Sequence, residues 1–263
     1  MIFSAEQIEV LRNLTRMWSR TPFVLIGASA MNVRMGRRCR ETYDLDFVLA
    51  VPLARYPAGL ESAPGWSRDP RNEQSWRAPG EVRVDIIPVG DGEADRGALT
   101  WPRAGIEMSL TGIRLAFDCA VTIHPAPSLE ILVAPLEVLV LLKMVAYLDR
   151  PSERERDLAD IALLLTDYVG DTNDRRYDDD ILDLGLNFQE ISPYLLGRDL
   201  SKVVNRVERE AVMRFLEVIR RTDDSMAAQA RMLRHAPASW RRDPEQLIVR
   251  IAAFERGFNL RLP

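Results

Sequence analysis

The sequence predicts an α/β N-terminal part, residues 1–134, followed by a mostly helical C-terminal part, residues 135–263. Short apolar runs closed by turn residues recur up to residue 133, as strands do. From Pro135 onward apolar residues return at helical spacing almost to the end. Hydrophobic residues are 47% and charged residues 28% of the 263, the balance of a globular chain with ample core.

The elements follow in order. Ile8, Leu11, Leu14 and Trp18 recur at helical spacing and predict a first helix. Phe23-Val24-Leu25-Ile26 reads as a buried strand ending at Gly27, and residues 29–36 as a helix stopped by Gly36. A basic loop, Arg37-Arg38-Cys39-Arg40, leads into a second strand over 44–51. Residues 52–80, rich in Pro, Gly, Arg and Trp, predict a long irregular connection or weak hairpin. A third strand spans 82–88, and short strands are expected at 112–117, 119–124 and 129–133. Helices are expected at 135–149, 153–167, 199–222 and 244–258, with 170–180 a solvated connection.

Several function classes drop out. A formal net charge of -4 gives no bulk signal for nucleic acid, so a polyanion must meet a local basic surface. Cys39 and Cys119 are far apart, which excludes a disulfide scaffold and a cysteine zinc site and fits a reducing compartment. Glu6 and Glu9 interrupt the N-terminus, unlike a signal peptide. Residues 131–148 contain Pro135, Glu137 and Lys143 and read as a buried strand and helix, not a bilayer span. The expectation is a cytoplasmic protein without membrane contact. His124 and His235 have no spacing partner, which argues against serine- or cysteine-based hydrolysis.

The chemistry concentrates on three aspartates. Side chains two apart on a strand share a face, so Asp44 and Asp46 stand side by side while Leu45 and Phe47 turn inward. Two like charges on an apolar strand repel unless something positive lies between them, and a divalent cation meets that need. On the third strand Val82, Val84 and Ile86 define the buried face, while Asp85 shares the other with Arg83. If the two strands are neighbours, three carboxylates converge, as a two-metal site for displacement at phosphorus requires. Gly27-Ala28-Ser29 at a strand-to-helix turn offers backbone N–H groups to phosphate, with Ser29 adding a hydroxyl or an N-cap. Arg37, Arg38 and Arg40 read either as a solvated loop or as a basic surface for RNA or triphosphate.

The order strand, Gly27-Ala28-Ser29, helix, Arg40-x-Thr42-x-Asp44-Leu45-Asp46 and later Val84-Asp85-Ile86 resembles the DNA polymerase beta-type nucleotidyltransferase superfamily. Within it the chain most resembles the AbiEii-type nucleotidyltransferases, which include toxins of type IV toxin–antitoxin systems. Lys143 to Arg150, followed by Arg156-Asp157 and Asp160-Ile161, is similar to that family's lysine-bearing and arginine–aspartate helices. The likeness covers roughly residues 20–166. It implies a mixed sheet flanked by helices, Mg²⁺ (or Mn²⁺) held by Asp44, Asp46 and Asp85, and an NTP as substrate. Gly27, Ala28, Ser29, Arg40, Thr42, Lys143 and Asp157 would serve nucleotide binding. Ala28 stands where the family usually has a second glycine and adds a methyl where the triphosphate would approach.

The reaction so implied moves a nucleoside monophosphate from an NTP to an acceptor with release of pyrophosphate. The acceptor would be RNA, such as a tRNA 3′ end, or protein, and a cognate antitoxin protein would be a partner. Two alternatives stand beside it: an antibiotic-type small-molecule nucleotidyltransferase, and a non-catalytic nucleotide- or partner-binding module. Without the family, Lys143 and Asp157 lie seven residues either side of Arg150 in a helical hairpin, so they can pair. Asp160 reads as structural.

Overall fold

The computed structural model describes residues 2–39, 41–56, 58–220 and 225–260. The chain separates into two compact units, Met1–Leu139 and Val140–Pro263. No helix among the described residues is long and apolar enough to cross a membrane.

The first unit is built on a mixed seven-stranded sheet. Helix α1 (Ala5–Met17) starts at a capping box between Ser4 and Gln7 and buries Ile8, Val10, Leu11 and Leu14. Strand β1 (Phe23–Ile26) is buried at all four positions. It passes through Gly27 into helix α2 (Gly27–Arg34), and β2 (Leu45–Leu49) returns antiparallel beside β1. The connection expected to be irregular holds a short helix, α3 (Ala58–Glu61), and a small hairpin of β3 (Ser67–Arg68) and β4 (Ser75–Arg77). That hairpin adds to β5 (Arg83–Pro88), which lies parallel to β2.

Helix α4 (Asp91–Arg96) precedes a separate two-stranded ribbon, β6 (Ala98–Thr100) with β7 (Glu107–Ser109). The strand expected at 112–117 is instead helix α5 (Ile113–Asp118). Gly112 caps it in the left-handed region at φ 83°, and Ile113 and Ala116, three apart, form its buried face. Strands β8 (Val121–Ala126) and β9 (Leu129–Val133) form a hairpin, and β9 pairs parallel with β1. The sheet order is β3-β4-β5-β2-β1-β9-β8, which places β1, β2 and β5 side by side in the middle. Their apolar positions, Val24, Leu25, Leu45, Phe47, Val84 and Ile86, are fully buried. Each such large side chain contributes about 1.5–3 kcal/mol of burial free energy.

Helix α6 (Leu136–Asp149) contains the division between the units. The second unit continues with α7 (Glu155–Asp167), α8 (Asp179–Leu182), α9 (Phe188–Val203), α10 (Arg206–Arg220), α11 (Ser225–His235), α12 (Ala238–Arg242) and α13 (Glu245–Phe258). The single helix expected over 199–222 is two, broken at Val204, whose extended backbone ends α9. Helices α9 and α13 approach so closely that a Cβ on Gly197 would lie 2.1 Å from the Phe254 carbonyl oxygen, and one on Gly257 2.1 Å from that of Tyr194. The connection over 170–180 is less open than expected. Arg176 is buried there, donating to the carbonyls of Val169, Gly170 and Phe188 while stacking on the Phe188 ring.

Candidate active site

The centre of the site is the join between β1 and α2. Gly27 adopts φ +70°, a conformation that L side chains resist. A Cβ there would also lie 2.1 Å from Oδ2 of Asp46, so the glycine is required by its neighbour as well as by its backbone. Ala28 and Ser29 are buried behind it. The Ser29 hydroxyl donates to the Asp44 backbone carbonyl at 2.7 Å, which ties α2 to the lead-in of β2. Ser29 is therefore no N-cap: Ile26 holds that place and supplies no side-chain hydrogen bond. The first turn of α2 therefore receives no capping hydrogen bond from its N-cap side chain, and its backbone N–H groups form the positive end of a helix dipole.

Thr42, Asp44 and Asp46 are half-buried while Glu41 and Tyr43 are exposed, so the alternation of β2 begins before its first paired residue. The register then decides the geometry. Ile26 pairs with Asp46, Asp46 with Asp85, and Asp85 with Ser75. Four strands thus set one transverse line of residues, with two aspartates adjacent at its middle. Neighbouring strands are about 4.8 Å apart, so Asp46 and Asp85 leave the sheet side by side on one face.

Arg83 complicates that picture, two residues before Asp85 on the same face. Its Nε donates to Asp85 Oδ1 and its Nη2 to Asp85 Oδ2, both at 3.1 Å, and Nη2 also reaches Ser75 Oγ at 3.2 Å. Burial would lower the Arg83 pKa, but hydrogen bonds and charge from Asp85, with the charges of Asp44 and Asp46 behind it, raise it instead. The guanidinium thus holds Asp85 directly and lies in the field of Asp44 and Asp46. Among the described residues no three His, Cys, Asp or Glu side chains close on a common ion position. The donor types themselves suit a hard divalent cation: carboxylate oxygens from two adjacent strands, beside N–H groups of a helix start. Arg83 on the same face of the strand also allows Asp85 to be read as an ion-paired carboxylate, and that pair forms, whereas the sequence does not mark Ser75. A spacing of two on one strand is the available signal for the first, whereas the second depends on strand pairing.

The remaining expected residues divide. Arg40 lies outside the described residues. Arg38 is exposed, donating through Nε to the Ile2 carbonyl, and Cys39 N donates to Asn32 Oδ1, which pins the basic loop to α2. In the second unit Lys143 and Asp157 meet across α6 and α7, as their spacing predicts. Lys143 Nζ lies 2.7 Å from Asp157 Oδ1 and 2.6 Å from Asp160 Oδ2. All three side chains are buried. Burial would lower the lysine pKa, but the two carboxylates raise it above its ordinary value. The ion-pair reading of Lys143 is therefore what the geometry displays, with Asp160 as a second partner. Asp157 Oδ2 is buried without a hydrogen-bond partner among the described residues.

Comparisons with known proteins bear on this arrangement. No curated protein sequence matches the chain. Among solved structures, an antigenic nucleotidyltransferase-like protein from Paracoccidioides brasiliensis is 15% identical, covering 69% of this chain and 85% of its own, at a TM-score of 0.41. The antibiotic-resistance factor ANT(2'')-Ia is 12% identical, covering 68% of this chain and 92% of its own, at 0.37. Likenesses this distant do not bear on substrate. The family model described as nucleotidyl transferase AbiEii toxin, type IV toxin–antitoxin system, matches residues 9–245, which include Asp44, Asp46, Asp85, Lys143 and Asp157. The chain belongs to the AbiEii nucleotidyltransferase family.

Proposed function

We propose that this nucleotidyltransferase is metal-dependent and transfers a nucleoside monophosphate from an NTP to RNA or protein, as the toxin of a type IV pair. The observation that carries the site assignment is the pairing of Asp46 with Asp85 on adjacent parallel strands, beside the glycine that begins α2. Asp44, Asp46 and Asp85 would hold Mg²⁺, which when bound neutralises phosphate charge and polarises the reacting oxygens. The chain's own groups do the rest. Backbone N–H groups of Gly27, Ala28 and Ser29 seat the triphosphate. Thr42 borders it from the lead-in to β2. Ser29 fixes α2 against Asp44, so phosphate seat and carboxylates keep one geometry. Asp85, on the strand farther from α2, takes the acceptor hydroxyl's proton.

The test is transfer of label from α-labelled NTPs into total RNA, total protein and small-molecule acceptors, with wild type and Asp46→Asn. Label in RNA or protein that disappears with the variant supports the proposal, and the labelled fraction names the acceptor class. Label only in an aminoglycoside-type small molecule would move the protein to the antibiotic-modifying class. Binding of NTP without any transfer would make it a binding module. Asp46→Asn should retain the wild-type melting temperature or exceed it, because a like-charge contact with Asp85 is relieved.

A further inference from the structure

We propose that Arg83 is an internal rival of the divalent cation: it occupies Asp85 as a counter-ion, and the metal must displace it before the three carboxylates can act together. This rests on the reading of Asp44, Asp46 and Asp85 as the metal site. Three observations converge on it. The guanidinium engages both oxygens of Asp85 in a fork, each at 3.1 Å, which is the strongest way one side chain can hold a carboxylate. A cation and a guanidinium sharing one carboxylate repel each other, and the fork already takes both Asp85 oxygens, so each weakens the other's hold. Finally, the Arg83 side chain is 47% exposed against 15% for Asp85, and beyond the aspartate it is steadied by a neutral partner, Ser75 Oγ. Arginine can therefore leave by rotating toward solvent while the aspartate stays with the sheet.

The consequence is a threshold. A site whose third carboxylate is already neutralised resists weak binding of free metal and yields when triphosphate arrives to share the cost of displacement.

Titration of nucleotide-free protein with Mn²⁺, followed by electron paramagnetic resonance of the free ion, tests this without reference to turnover. Arg83→Met removes the charge and keeps the stem. It should bind Mn²⁺ roughly tenfold more tightly than wild type, the scale on which groups around a metal site act. Arg83→Lys keeps a point charge but loses the fork, and should fall between the two. Unchanged or weaker binding by Arg83→Met would overturn the proposal, weaker binding marking Arg83 as an orienting partner of Asp85. Circular dichroism shows whether each variant is folded, and Arg83→Gln replaces the methionine if it is not. Asp46→Asn separates the two levels: if it binds Mn²⁺ like wild type, the metal-site reading itself fails, whatever Arg83 does.

Discussion

Gly27 shows how closely fold and chemistry are joined at single residues. Its positive φ would make alanine cost about 1–2 kcal/mol of backbone strain. Its contact with Asp46 Oδ2 means that the added methyl must push the carboxylate aside. Gly27→Ala should therefore melt only somewhat below wild type while losing about 100-fold or more in transfer rate, since displacing a reacting group by an ångström costs that much. A drop in activity no larger than the lost folded fraction would show that the carboxylate tolerates the shift. Asp46 can be singled out from sequence because alternation fixes which way a strand residue points. The role of Gly27 is legible only in part. Its turn is visible in the order of residues, but the clash that forbids any other side chain depends on a partner nineteen positions later.

Among the elements, the α6–α7 hairpin carries the sharpest energetic consequence. Removing Lys143 would take away the cation that the buried carboxylates of Asp157 and Asp160 share. Lys143→Ala should cost about 3–5 kcal/mol in urea unfolding; a loss below about 1 kcal/mol, the range of exposed pairs, would mean the trio is solvated. The pH dependence has a definite sign. The folded pKa lies above the ordinary 10.5, so the lysine's contribution is complete below that value and is lost as pH rises through the folded pKa. Wild-type stability should thus fall above pH 10.5 more steeply than that of Lys143→Met. Hairpin geometry makes this pair legible because it needs only helical rise and turn position. Elements governed by neighbours are harder to see. The expected strand at 112–117 reads as apolar alternation until Gly112 turns it into a helix, and α9, with Pro193 inside, lacks a clean periodic face.

At the scale of the whole molecule the charge balance and the sheet order matter most. A chain of net charge -4 that acts on RNA must approach it through a small basic surface. Arg37 and Arg38, just beyond the end of α2, are the candidates. If RNA is the acceptor, the double variant Arg37→Ala/Arg38→Ala should weaken RNA binding and reduce the slope of log affinity against log salt by about 1–2. An unchanged slope would place the RNA elsewhere. The mixed sheet is expected from family likeness, but its order is not written in any local pattern. Residues 23–26 and 129–133 look alike as apolar runs, and only the folded sheet makes them parallel neighbours.

The line Ile26–Asp46–Asp85–Ser75 has a consequence for how the protein reaches this sheet. Sliding β2 or β5 along its partner by one position would swing an acid into the hydrophobic interior and expose Phe47 or Ile86. Burying an unpaired carboxylate costs several kcal/mol, so such misaligned sheets are rejected during assembly. The acids proposed for the chemistry would therefore also proofread the fold: a chain that has hidden them wrongly is unstable.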